Sequence, residues 1–145
     1  MNRAIATPPG QPTQYIDLTP EETTARQAEE AAFLTKRITD ALPAYRYEIE
    51  NGGIAIGGIS IQTDQFTRTN LIGARIRATE DPTYSVKWKT TAGFVTLDAS
   101  AIVAVADAVA AHVQKCFDAE AAITGQTFDT INAMKAAFDE AYEGQ

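Results

Sequence analysis

Cysteine, histidine and tryptophan each occur only once in this chain of 145 residues, as Cys116, His112 and Trp88. A single cysteine forbids an intramolecular disulfide, so the fold must hold without a cross-link, as suits assembly in a reducing cytoplasm. One histidine and one cysteine also fall short of the ligands that a zinc site requires. No uninterrupted apolar run approaches the roughly 20 residues that span a bilayer. The first six residues lack the apolar stretch of a signal peptide and lead directly into Pro8-Pro9, so neither export nor a membrane partner is expected. No phosphate-loop or dinucleotide fingerprint surrounds the Gly57-Gly58 pair.

What remains is the composition of one ordinary globular domain, 45% apolar and 21% charged. The net charge of −7 argues against nucleic acid as a partner, because phosphate neutralisation supplies most of such affinity. Charge is unevenly spread. Residues 64–97 carry five basic side chains (Arg68, Arg75, Arg77, Lys87, Lys89) against Asp64, Glu80 and Asp81, whereas residues 98–145 carry two basic and eight acidic ones. This middle segment reads as a solvated face with local ion pairs, although the arginines and lysines together could hold an anion.

The pattern predicts an α+β fold: an N-terminal arm and helix, two antiparallel β-hairpins forming a small sheet packed on a long C-terminal helix, and a final amphipathic helix. Residues 1–19, rich in Pro and Gly, read as an extended arm that ends in the strand-like Tyr15-Ile16-Asp17-Leu18. Thr19-Pro20-Glu21-Glu22 marks a helix start, with Thr19 as N-cap, Pro20 in the first turn and Glu22 at the capping-box spacing. That helix is expected over residues 20–42. Its apolar residues stay sparse until Ala31-Ala32-Phe33-Leu34, so its first half should project from the body or pack on a partner.

Residues 43–124 form the expected core domain. Over 44–50 the alternation of Tyr45, Tyr47 and Ile49 with Arg46, Glu48 and Glu50 predicts a strand, and Asn51-Gly52-Gly53 a hairpin turn. Ile54 and Ile56 fall out of phase with Ile59 and Ile61, which predicts a bulge at Gly57-Gly58. Asp64 should cap a helix to about residue 79, offering Phe66, Leu71, Ile72, Ala74, Ile76 and Ala78 for burial. Tyr84, Val86 and Trp88 alternate with Ser85, Lys87 and Lys89 in a second hairpin, with Trp88 as a core anchor. Asp98 should cap the longest helix, to about residue 123, with one buried stripe through Ile102, Val105, Ala106, Val109, Val113, Cys116 and Phe117. Residues 125–145 hold the last helix, over 128–142 with Thr127 as its cap. Its face of Phe128, Ile131, Met134, Phe138 and Tyr142 either folds back on the domain or binds a partner.

Chemistry is sparse. His112 and Cys116 lie four residues apart on one helix, within mutual reach but without a third ligand or an orienting group. The carboxylate pairs Glu29-Glu30 and Asp139-Glu140 have no apolar wall to raise a pKa. No catalytic residue, metal site or cofactor is expected, and the chain does not read as an enzyme.

Three runs carry a resemblance: Ile54-Ala-Ile-Gly-Gly-Ile-Ser-Ile-Gln-Thr63-Asp64, then Tyr84-Ser-Val-Lys-Trp88-Lys-Thr-Thr-Ala-Gly-Phe-Val-Thr-Leu-Asp98, then the helix from Ile102 to His112-Val113. Over about residues 45–123 the chain resembles a phage-encoded domain family of unknown function. Leu18-Thr19-Pro20-Glu21-Glu22 also resembles the segment that precedes this domain in tail-fibre assembly-type proteins, whereas the last helix departs from their usual ending. The resemblance implies a non-enzymatic protein of the tail-fibre apparatus, made in the bacterial host cytoplasm. It would bind a phage tail-fibre or other tail protein as a virion component, or act as an assembly chaperone not retained in the particle. A small anion-binding regulatory protein is the alternative from another class. The segments surplus to a compact core then become the expected partner contacts: Tyr15, Ile16 and Leu18 in the arm, and Phe128, Ile131, Met134, Phe138 and Tyr142 in the last helix. Self-association into a homo-oligomer is left open.

Overall fold

A computed structural model describes residues 2–5, 9–12 and 14–145. The arm expected over residues 1–19 falls partly outside this set, at Met1, Ala6, Thr7, Pro8 and Thr13. Its described parts form an antiparallel pair, β1 (Asn2–Ile5) and β2 (Gln14–Asp17), with Ala4 opposite Tyr15 and Arg3 opposite Ile16.

α1 (Pro20–Asn51) starts as its sequence demands. The Thr19 hydroxyl accepts from the Glu22 N–H at 3.2 Å, and the Glu22 carboxylate accepts from the Thr19 N–H at 3.0 Å. Its end differs from expectation. Pro43 does not stop it, and residues 44–50, read as a strand, are its last two turns. The reason is tertiary: Tyr45 and Ile49 continue the stripe of Ile38 and Leu42 at helical spacing, and all four pack into one core. The alternation over 44–50 fits a strand equally well, and the buried partners decide between the two.

The helix stops at Gly52-Gly53. Gly53 has φ +85°, and a Cβ there would come within 3.0 Å of the Ile61 carbonyl oxygen, so this position requires glycine. The hairpin that follows is shorter than expected, β3 (Ile54–Ile56) with β4 (Ile59–Ile61). Gly57 and Gly58, both at positive φ, make its two-residue turn rather than a bulge. That turn explains the odd step between the isoleucine pairs: Ile56 faces Ile59 and Ile54 faces Ile61 on one side of the ladder.

α2 (Gln65–Glu80) is capped by Asp64, whose carboxyl is held below the usual range by hydrogen bonds from the Thr67 hydroxyl and N–H. Of the residues offered for burial on α2, Leu71 and Ala78 are buried and Ala74 is half-buried, whereas Phe66, Ile72 and Ile76 are exposed. β5 (Ser85–Thr90) and β6 (Gly93–Asp98) form the second hairpin, with Val86 opposite Leu97 and Trp88 opposite Val95. Tyr84, Val86 and Trp88 face the core, as their alternation predicts. Each hairpin is a separate two-stranded ladder.

α3 (Ala99–Ile123) is the axis of the α+β fold. It packs on α1, α2, β3, β6 and the last helix, α4 (Ile131–Glu143). Asp98 caps it through the Ala101 N–H at 2.8 Å. By length and composition alone α3 is apolar enough to cross a membrane, a test that a core helix also passes, although Asp107, His112 and Lys115 interrupt its apolar residues. α4 begins three residues later than expected, because Thr130 rather than Thr127 accepts from a helix N–H, that of Ala133. α4 closes a core of Ile38, Leu42, Cys116, Ala119, Ile123, Met134 and Phe138. Residues 125–145 are therefore packed into the same body as 43–124.

Candidate interaction surface

The polar residues that gather inside the domain do so at the C-terminal end of α1. The Glu50 carboxylate, only 4% exposed, is held between Arg46 of α1 and Arg68 of α2, and Arg46 reaches on to Glu120 of α3 at 2.9 Å. The Glu50 carbonyl accepts from the buried Thr63 hydroxyl at 2.6 Å, and the same hydroxyl accepts from the Gly53 N–H. His112 Nε2 lies 3.2 Å from the Ile49 carbonyl and 3.3 Å from that of Glu50, while its Nδ1 lies 2.7 Å from the Tyr142 hydroxyl. Two carbonyls can only accept, so Nε2 carries a proton directed at them.

This cluster ties α1, α2, α3 and α4 together, and its groups answer one another. Among the described residues no buried side-chain N or O lacks a partner. The Cys116 sulfur is 4.0 Å from His112 Nε2, and burial, with the nearby Glu50 carboxylate adding to it, pushes the thiol up to about 11. Burial thus favours the protonated thiol beside an imidazole whose Nε2 faces two carbonyls. No group of three metal-ligating side chains occurs among the described residues. Of the basic side chains Arg68, Arg75, Arg77, Lys87 and Lys89 that could hold an anion, three have partners within the molecule. Arg68 is held by Glu50, Arg75 pairs with Asp107 at 2.8 Å, and Lys89 lies over the Phe94 ring.

The residues expected to bind a partner divide into two groups. In the arm, Tyr15 is 65% exposed, Ile16 is exposed and Leu18 is half-buried. The face of α4 turns inward instead. Met134 and Phe138 are fully buried, and Phe128, Ile131 and Tyr142 pack around them. The Phe138 ring meets Tyr45 edge-on at 5.4 Å, and the Tyr45 hydroxyl donates to Asp139 at 2.9 Å. Between its two possible roles, this face folds back on the domain.

The exposed surface lies elsewhere, on elements whose sequence suggested burial. Every residue of α1 from 24 to 37 is exposed, Phe33 among them at 65%. On α2, Ile72 lines a hollow of about 330 Å³ whose floor is Leu71, Ala106 and Val109, and Ile76, outside that hollow, is exposed as well. Their helical spacing did not mark them as exposed, because α2 has apolar residues on more than one side.

Comparison with known families identifies the body of the molecule. The model of a family described as Domain of unknown function (DUF4376) matches residues 34–143, and the chain belongs to that family. The match reaches through α4, further than the resemblance over 45–123, and leaves out the arm and the first turns of α1. No curated protein and no solved structure matches the chain.

Proposed function

We propose that this protein is a non-enzymatic component of a bacteriophage tail, attached to a tail-fibre or neighbouring tail protein by its N-terminal hairpin. One observation carries the docking role: β2 offers Tyr15 and Ile16 uncovered, at the far end of a helix whose residues 24–37 are all exposed. An ordered pair of strands ending in exposed aromatic and aliphatic side chains adds little to the domain's own core and suits a partner. The resemblance of the runs around Gly57-Gly58, Trp88 and His112 to phage domains supplies the tail context, and the closed polar cluster favours binding over catalysis.

Mass spectrometry of purified phage particles tests this reading. The expected result is the protein in fixed ratio to the fibre, with Tyr15→Asp/Ile16→Asp lowering its incorporation at least tenfold. Absence from particles with co-purification from lysate would make it an assembly chaperone, and absence from both would refute a tail role.

A further inference from the structure

We propose that β6 is the docking edge for an extended acidic segment of another protein, which joins the β5–β6 ladder as a third strand. The register decides which backbone groups are available. Thr90 pairs with Gly93 across a two-residue turn, so Trp88–Val95 and Val86–Leu97 are the other pairs that exchange hydrogen bonds. The N–H and C=O of Phe94 and of Thr96 therefore point away from β5, and no group among the described residues bonds to them. Both residues are exposed, Phe94 at 69%. A sheet edge of this kind is a template for another strand unless lysine, proline or a bulge blunts it. The β5 edge is blunted: its outward residues are Ser85, Lys87 and Lys89, and the two lysines share a hollow with Phe66 and Asn70 of α2. β6 pairs in unbroken register and carries neither lysine nor proline. Its one charge, Asp98, is turned to capping α3.

The side chains around this edge select its occupant. On the wet face of the ladder Lys89 leans across to β6, with its Nζ 6.0 Å from the centre of the Phe94 ring. Lys87 lines a hollow of about 380 Å³ with Phe94, Val95 and Thr96, and forms no ion pair or hydrogen bond among the described residues. Two positive charges thus face whatever lies beside β6 on this side. On the opposite face the half-buried Val95 and the buried Leu97 belong to the core. An added strand alternates its side chains between these two faces. Its carboxylates then meet Lys87 and Lys89, and its aliphatic side chains extend the core beside Val95. A segment alternating acidic with aliphatic residues satisfies both faces. A second copy of β6 does not, because it brings Phe94 and Thr96 to the wet face and its only carboxylate is already bound to α3. This docking uses neither Tyr15 nor Ile16, so it does not depend on what the N-terminal hairpin meets.

The probe is an end-blocked fluorescent peptide of about eight residues alternating valine and glutamate, titrated with the full chain and followed by anisotropy. Half-saturation is expected below about 1 mM. The Phe94 and Thr96 amides should gain at least tenfold protection from hydrogen exchange when the peptide is bound. Thr96→Pro removes one outward donor at a position where an edge strand tolerates proline, and should weaken binding at least tenfold. Lys87→Glu/Lys89→Glu changes two exposed side chains, so it should weaken binding as much with the unfolding midpoint unchanged. A peptide alternating valine and lysine should not bind. No binding up to 1 mM would overturn the proposal, as would equal binding of the lysine peptide. Binding that leaves the two amides unprotected would reduce it to ionic attraction and overturn it too. Protection that rises with protein concentration in the absence of peptide would overturn it in favour of a second copy on the same edge.

Discussion

At the scale of single residues, Glu50 is the side chain with most at stake. It is a buried carboxylate between two guanidinium groups that are themselves mostly covered. Removing one member of such a cluster leaves its partners charged and short of a counterion in a poorly solvated place. Glu50→Ala is therefore expected to cost about 3 kcal/mol in urea unfolding. The Lys36–Asp40 pair on the exposed face of α1 serves as the contrast, and Lys36→Ala should leave the midpoint where it is. Tyr45 makes a second case, with a defined pH window. Burial, and after it the hydrogen bond to Asp139, raises its phenol from 10.0 to about 12. The folded state thus favours the neutral form, and the stability this contributes is complete below pH 10 and lost as pH rises through 12. In urea unfolding at stepped pH, the advantage of wild type over Tyr45→Phe should be constant up to about pH 10 and should shrink from there to pH 12.

At the scale of elements, local chemistry was legible and tertiary choice was not. The helix starts at Thr19, Asp64 and Asp98 could be read directly, because a cap is a bond between near neighbours in the chain. The stripe on α3 was legible in part: Ile102, Val105, Ala106, Val109 and Cys116 are buried, whereas Val113 is half-buried and Phe117, 45% exposed, lies under the Arg46 guanidinium instead. The second half of α1 was not. Tyr45-Arg46-Tyr47-Glu48-Ile49-Glu50 alternates like a strand, and the core that Tyr45 and Ile49 join, together with Arg68, His112 and Glu120 from other elements, fixes it as helix. The same limit hid the candidate surface. Helical spacing shows that Ile72 and Met134 are each eligible for burial, yet neighbours place one outside and the other at 0% exposure. Tyr15 and Ile16, by contrast, stay exposed on β2, away from the core. For α4 the inward reading has a direct consequence. Met134→Ala should cost about 3 kcal/mol in urea unfolding, as a cavity in a closed core does and an exposed docking face does not.

At the scale of the molecule, α3 is the element on which the others are hung: α1 and α4 along one part, α2 and the hairpins along another. Family membership from residue 34 to 143 follows the same outline, taking in every buried residue of the core and leaving the projecting arm outside. The arm's sparse apolar content and the packed core's regular stripes thus belong to two parts of the chain with different duties, one turned inward and one outward. The core formed by Ile38, Leu42 and Phe138 has an implication for how the protein is made. Nearly the whole family domain separates the first two of these residues from the third. A ribosome adding ~5–20 residues per second exposes the α1 stripe for several seconds before α4 exists to cover it. The domain can close only after its last helix has left the exit tunnel, so a nascent chain stalled short of that helix presents an open apolar seam to chaperones and proteases.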